Sequence, residues 1–143
     1  MSWDITIQDF PASAQSVSEI PNDYRPGPLG TRDEVIARIR EVLPDVDFRD
    51  RSWGLFRGPG FTIEFNMGKD EICDGFMLHV RGGGSAIATV DRLLQHLKLR
   101  GIDPQAGDLF RADVARASFI HWQVARDQVI RKVMKRDGPP PAE

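Results

Sequence analysis

The sequence predicts an α+β domain, an antiparallel sheet of about four strands with two or three helices packed on one face. Three observations carry this. Phe61–Met67 and Phe76–Arg81 each alternate apolar and polar residues with the period of a strand, separated by a polar turn, as in a hairpin. Two other segments, entered at Thr31 and Ser85, repeat apolar residues at helical spacing. The resulting order, β-α-β-β-β-α-α, lacks the regular strand–helix alternation that a doubly wound parallel sheet requires.

The elements follow in order. Trp3, Ile5 and Ile7 alternate with Asp4, Thr6 and Gln8, which predicts a half-buried strand. Residues 11–30 are rich in proline, and Pro26-Gly27-Pro28 fits neither a helix nor a central strand. The stretch reads as an ordered loop, pinned by Ile20, Tyr24 and Leu29. Thr31 and Glu34 form a T-x-x-E capping box, in which each side chain satisfies a backbone N–H that the helix leaves unpaired. Val35, Ile36, Ile39, Val42 and Leu43 then make one apolar stripe, and Pro44 stops the helix.

Trp53–Phe56 reads as a short strand and Gly58-Pro59-Gly60 as a turn. Placing the apolar faces of the next two strands together pairs Phe65 with Leu78 and Ile63 with Val80. The same register sets Glu64 opposite His79 and Thr62 opposite Arg81. A second helix carries Ile87, Val90, Leu93, Leu94 and Leu97 on one face, with Gly101 expected just beyond its end. Residues 102–117 show no clear period, and a short edge strand or turn is expected near Asp108–Phe110. Ser118 is expected to cap a last helix reaching about Arg136. The folded unit is therefore expected to span 1–137, and the tail 138–143, opening on Gly138-Pro139-Pro140-Pro141, to be disordered.

Bulk composition narrows the classes. The 143 residues fit one domain, which buries roughly 70% of its unfolded surface and holds a core without disulfides or metals. Apolar residues at 41% and charged residues at 28% are ordinary globular values. Nineteen basic against 21 acidic residues give a formal charge of −2, with no general pull toward nucleic acid or anionic membrane. Cys73 is the single cysteine, so no intrachain disulfide can form, and with three histidines a structural zinc site is not expected. No apolar run reaches membrane-spanning length and the N-terminus lacks signal-peptide character, so a cytoplasmic location is expected.

Several segments carry a resemblance: Ser2-Trp3-Asp4-Ile5, Pro28-Leu29-Gly30-Thr31-Arg32, Ser52-Trp53-Gly54, Gly58–Asn66 and Met77–Gly84. In these the chain resembles a group of small, uncharacterised bacterial proteins. The likeness covers about the first 100 residues, while Phe119–Val129 is only loosely similar. It implies a stand-alone bacterial domain and brings no catalytic residue with it.

Nothing in the sequence amounts to a recognisable active site, and no motif implies a cofactor. The glycine run Arg81-Gly82-Gly83-Gly84-Ser85 has two readings. Its N–H groups at a helix start could hold an anion, with Arg81 beside Gly83, Gly84 and Ser85. Equally, its glycines supply positive φ or a close approach to the sheet. It matches neither a P-loop nor G-x-G-x-x-G.

The hairpin's polar face brings together Glu64, Asn66, His79 and Arg81. Glu and His suit general acid–base work and Arg suits an anion. The plainer reading is a solvated face of a one-sided sheet. Arg131, Lys132, Lys135 and Arg136 form a basic face on the last helix, with Arg126 inside its apolar stripe. Cys73 sits in a polar turn without an evident activating base, and His96 and His121 lack metal-ligand spacing. Trp3, Trp53 and Trp122 read as core aromatics.

The class predicted is a non-enzymatic protein-interaction module, an accessory or immunity-like protein whose partner would be a protein such as a bacterial toxin. The alternative is a small enzyme or anion-ligand binder using the Glu64/His79/Arg81 face and the Gly82–Gly84 turn. Nucleic-acid binding through the last helix is the least favoured, given the near-neutral charge.

Overall fold

The computed structural model describes residues 3–83 and 85–117. The expectations for Gly84, for the helix from Ser118 with Trp122, Arg126 and its basic residues, for His121 and for the tail lie outside them.

The class is as the sequence predicts, an antiparallel sheet combined with helices, but the sheet is larger. Six strands run in the order β3-β4-β6-β1-β7-β8, and two more, β2 and β5, form a separate small ribbon. The elements are β1 (Trp3–Gln8), β2 (Gly30–Thr31), α1 (Arg32–Val42), β3 (Trp53–Gly58), β4 (Phe61–Asn66), β5 (Ile72–Cys73), β6 (Gly75–Gly82), α2 (Ala86–Leu97), β7 (Arg100–Asp103) and β8 (Asp108–Leu109). Every described pairing is antiparallel.

The hairpin register is the one the alternation demands. Phe65 pairs with Leu78, Ile63 with Val80, Glu64 with His79 and Thr62 with Arg81. On the other side of β6, Ile5 lies opposite Leu78 and Asp4 opposite His79. Because side chains alternate across a strand, Ile5, Ile7, Ile63, Phe65, Phe76, Leu78 and Val80 share one face. They form a single core with Val35, Ile36 and Ile39 of α1 and with Val90, Leu93, Leu94 and Leu97 of α2. Both α-helices therefore cover that face.

The capping box is present in full. Thr31 Oγ1 accepts from the Glu34 N–H (3.1 Å), and Glu34 Oε1 accepts from the Thr31 N–H (2.9 Å). These bonds hold the Glu34 carboxyl below its usual value.

α2 ends differently from the expectation. Its C-terminal residue in left-handed backbone is Lys98 (φ 56°), while Gly101 lies inside β7. A β-carbon at Gly101 would sit 2.7 Å from Ile5 Cγ2, so the glycine there serves strand packing rather than helix termination. Residues 112–117, within the stretch that showed no clear period, are helical, with the Ala115 N–H bonded to Arg111 O. Cys73 is not in a turn. It pairs with Gly30 in the small ribbon and is buried, and burial raises its thiol pKa.

The proline-rich loop is ordered at the points the sequence suggested. Phe10 and Ala14 form a second small core with Leu109, packed against Ile20 and Ile102. Arg100 fastens this strap, its Nη1 donating to the carbonyls of Pro11, Ala12 and Ala14 at 3.4, 3.2 and 2.7 Å. Tyr24 Oη donates to Asp9 O (2.6 Å), and the Val17 N–H to Asp108 Oδ1 (2.7 Å).

Candidate functional site

The sheet face opposite α1 and α2 carries the polar half of each alternation. Three neighbouring strands bring Glu64 (β4), His79 (β6) and Asp4 (β1) into one row, because Glu64 and Asp4 flank His79 in register. Trp53 joins them from β3, where it pairs with Asn66 and so points to the same side. Trp53 is 40% exposed, contrary to its reading as a core aromatic.

The cluster is internally bonded. Trp53 Nε1 donates to Glu64 Oε2 (2.8 Å) and the indole stacks on the His79 imidazole, with ring centroids 5.4 Å apart and planes inclined by 15°. Arg81 Nη1 donates to Glu64 Oε1. His79 Nδ1 bonds Asp4 Oδ1 at 2.8 Å. The Glu64 and His79 side chains are mostly buried, at 19% and 17% exposed, and Arg81 is more open at 54%.

The bonds within the cluster determine which of its atoms are committed. Asp4 bonds the His79 ring through Nδ1, and Nε2 is the ring's other nitrogen. Glu64, however, is committed to Trp53 and Arg81, and neither Glu64 nor His79 is bonded to a hydroxyl or thiol among the described residues. Activation of a protein nucleophile requires such a contact. No group of His, Cys, Asp and Glu among the described residues is arranged to hold a metal ion.

Of the residues singled out by sequence, the structure thus gathers Glu64, His79 and Arg81. Asn66 lies on the same face but lines a neighbouring shallow groove with Thr6, Gln8 and Met77. Gly83 and Ser85 lie elsewhere. The Gly83 N–H is donated to Gly60 O (2.9 Å), and Gly82 (φ 95°) packs so closely on the Gly60 turn that a β-carbon would meet Gly60 O at 2.4 Å. Ser85 stands at the start of α2, on the helix-covered side, and its side chain makes no capping bond. Arg81 turns the other way, toward Glu64.

Sequence reasoning missed Asp4 and Trp53. The parity of β3 would have found Trp53, since the tight turn after Gly58 sets it opposite Asn66. Asp4 had no local signal, because it reaches His79 through a pairing between distant segments. His96, which lacks metal-ligand spacing, bonds Glu41 through Nε2 (2.8 Å) and ties α2 to α1.

No described helix is long and apolar enough to cross a membrane. No protein-family model, curated protein or solved structure matches the chain.

Proposed function

We propose that this chain is a non-enzymatic interaction module, of the accessory or immunity kind found beside bacterial toxins, and that it grips a protein partner through the polar sheet face around Trp53. The carrying observation is the presentation of Trp53. A large aromatic lies exposed on the polar sheet face, held by a stacked imidazole and a bonded carboxylate. Tryptophan and arginine are the residue types that dominate binding energy at protein interfaces. Holding the ring in place beforehand lowers the entropy lost on association. The surrounding charges are paired with one another, so a partner can cover them without stranding a lone charge.

The test is affinity capture with the full chain and with Trp53→Ala, followed by titration of the recovered partner. The wild-type chain should retain one stoichiometric protein. Trp53→Ala should weaken it about 30-fold or more, the effect of losing a hot spot worth about 2 kcal/mol. Thermal unfolding of the variant should stay cooperative. Capture of no protein, or equal affinity of the variant, would overturn the reading.

A further inference from the structure

We propose that the cavity between residues 9–12 and the C-terminal half of α2 is a binding site for a small zwitterion with an apolar body, the chemistry of a free α-amino acid. The cavity measures ≈ 560 Å³, within the range of small-molecule sites. It lies away from the Trp53 face and does not depend on the interaction reading. One wall is apolar, formed by Phe10, Leu94 and Phe110, and Tyr24 stands beside it.

The charges lining the cavity separate into engaged and free. Asp91 accepts from Gln95 Nε2 at 2.9 Å, and Arg100 gives its Nη1 to the three strap carbonyls. Lys98 and Asp9 also line the cavity, yet among the described residues neither side chain takes part in a hydrogen bond or an ion pair, with each other or with anything else. Two opposite charges thus face one space without meeting. A ligand carrying both signs bridges them: its carboxylate on Lys98 with the Arg100 guanidinium alongside, its ammonium on Asp9, its side chain against the apolar wall.

Lys98 adds an independent observation. It is the one non-glycine residue with positive φ among the described residues, at a helix end where glycine fits without strain. A lysine there costs stability while placing an ammonium in the cavity. Position 98 therefore carries a charged side chain that lines the cavity where glycine would end the helix with less strain.

The experiment is a thermal-shift series on the full chain with each of the twenty L-amino acids at about 10 mM, and with the N-acetyl and amide derivatives of any that bind. An apolar or aromatic amino acid should raise Tm by about 2–4 °C at about five times its Kd, and its blocked derivatives should not. Lys98→Gly should raise the Tm of the free protein and abolish the ligand-induced shift. Asp9→Asn should abolish the shift as well. Neither variant should alter partner capture through Trp53, so this proposal and the interaction reading fail separately. No shift with any amino acid would overturn the proposal. So would an undiminished shift in Lys98→Gly, or equal shifts from the acetylated or amidated forms, which would point to a peptide end or to a merely apolar ligand.

Discussion

Leu78→Ala is the substitution that probes the sheet most directly. Leu78 is fully buried in β6, with Ile5 opposite it on β1 and Phe65 opposite it on β4, both also fully buried. Truncation removes about three carbon atoms, or about 2.4 kcal/mol at ~0.8 kcal/mol for each buried methylene. The cavity left behind adds to this, because hydrogen-bonded strands on both sides hold Ile5 and Phe65 in place and limit collapse. The total expected is about 4 kcal/mol, toward the upper end of the range for buried Leu→Ala changes. Met77, the adjacent residue, faces the other side and is half-buried. Met77→Ala should cost about 1 kcal/mol or less, in keeping with its partial burial. Urea unfolding followed by tryptophan fluorescence gives both values, provided the slopes match that of the wild type. Equal losses, or a larger loss for Met77→Ala, would show that the faces of β6 are exchanged and would refute the register on which the Trp53 cluster depends.

Three further outcomes are expected. Thr31→Ala should lower stability by about 1 kcal/mol through loss of the α1 cap, read as a shift in the urea midpoint. Gly101→Ala should cost about 1–3 kcal/mol, since the new methyl would collide with the fully buried Ile5, and Ile5→Ala should relieve the clash in a double-mutant cycle. The third concerns acid. Bonds from the Val17 and Leu109 N–H groups hold the Asp108 carboxyl below the usual carboxylate range. A depressed carboxylate contributes stability above its unfolded value and loses it as pH falls through the lower folded value. The strap from Phe10 to Ile20 should therefore lose protection against hydrogen exchange, relative to the intrinsic rate at each pH, as pH drops below the usual carboxylate range, and Asp108→Asn should flatten that dependence.

What the sequence revealed was local. The capping box at Thr31, the apolar stripe of α2 and the β4–β6 register each follow from residues within one element or one hairpin, where periodicity leaves little choice. What it hid was distant. The insertion of β1 between β6 and β7, the short β7 itself and the strap held by Arg100 depend on contacts between far-separated segments. Gly101 reads as a helix stop when seen beside Lys98 and Arg100, and only the approach of Ile5 reveals its other use. The candidate site divides the same way. Glu64, His79 and Arg81 were visible as one face of a hairpin, whereas Asp4 required the β1–β6 pairing and Trp53 required the parity of β3.

The central position of β1 has a consequence for synthesis. The strand leaves the ribosome well before its partners β6 and β7, and the Trp3 indole reaches Asp103 across a separation of 100 residues (2.9 Å). Until then Trp3, Ile5 and Ile7 have no sheet to enter, and an unpaired apolar strand is an aggregation hazard in a nascent chain. The α1 segment and the β3–β4 hairpin can form as they emerge, but the sheet closes only after β7 is free of the exit tunnel. A nascent chain arrested before Asp103 should therefore stay protease-sensitive through β1 and bind chaperones. Release of a few dozen further residues should convert it abruptly to the folded state, with synthesis rather than diffusion setting the pace.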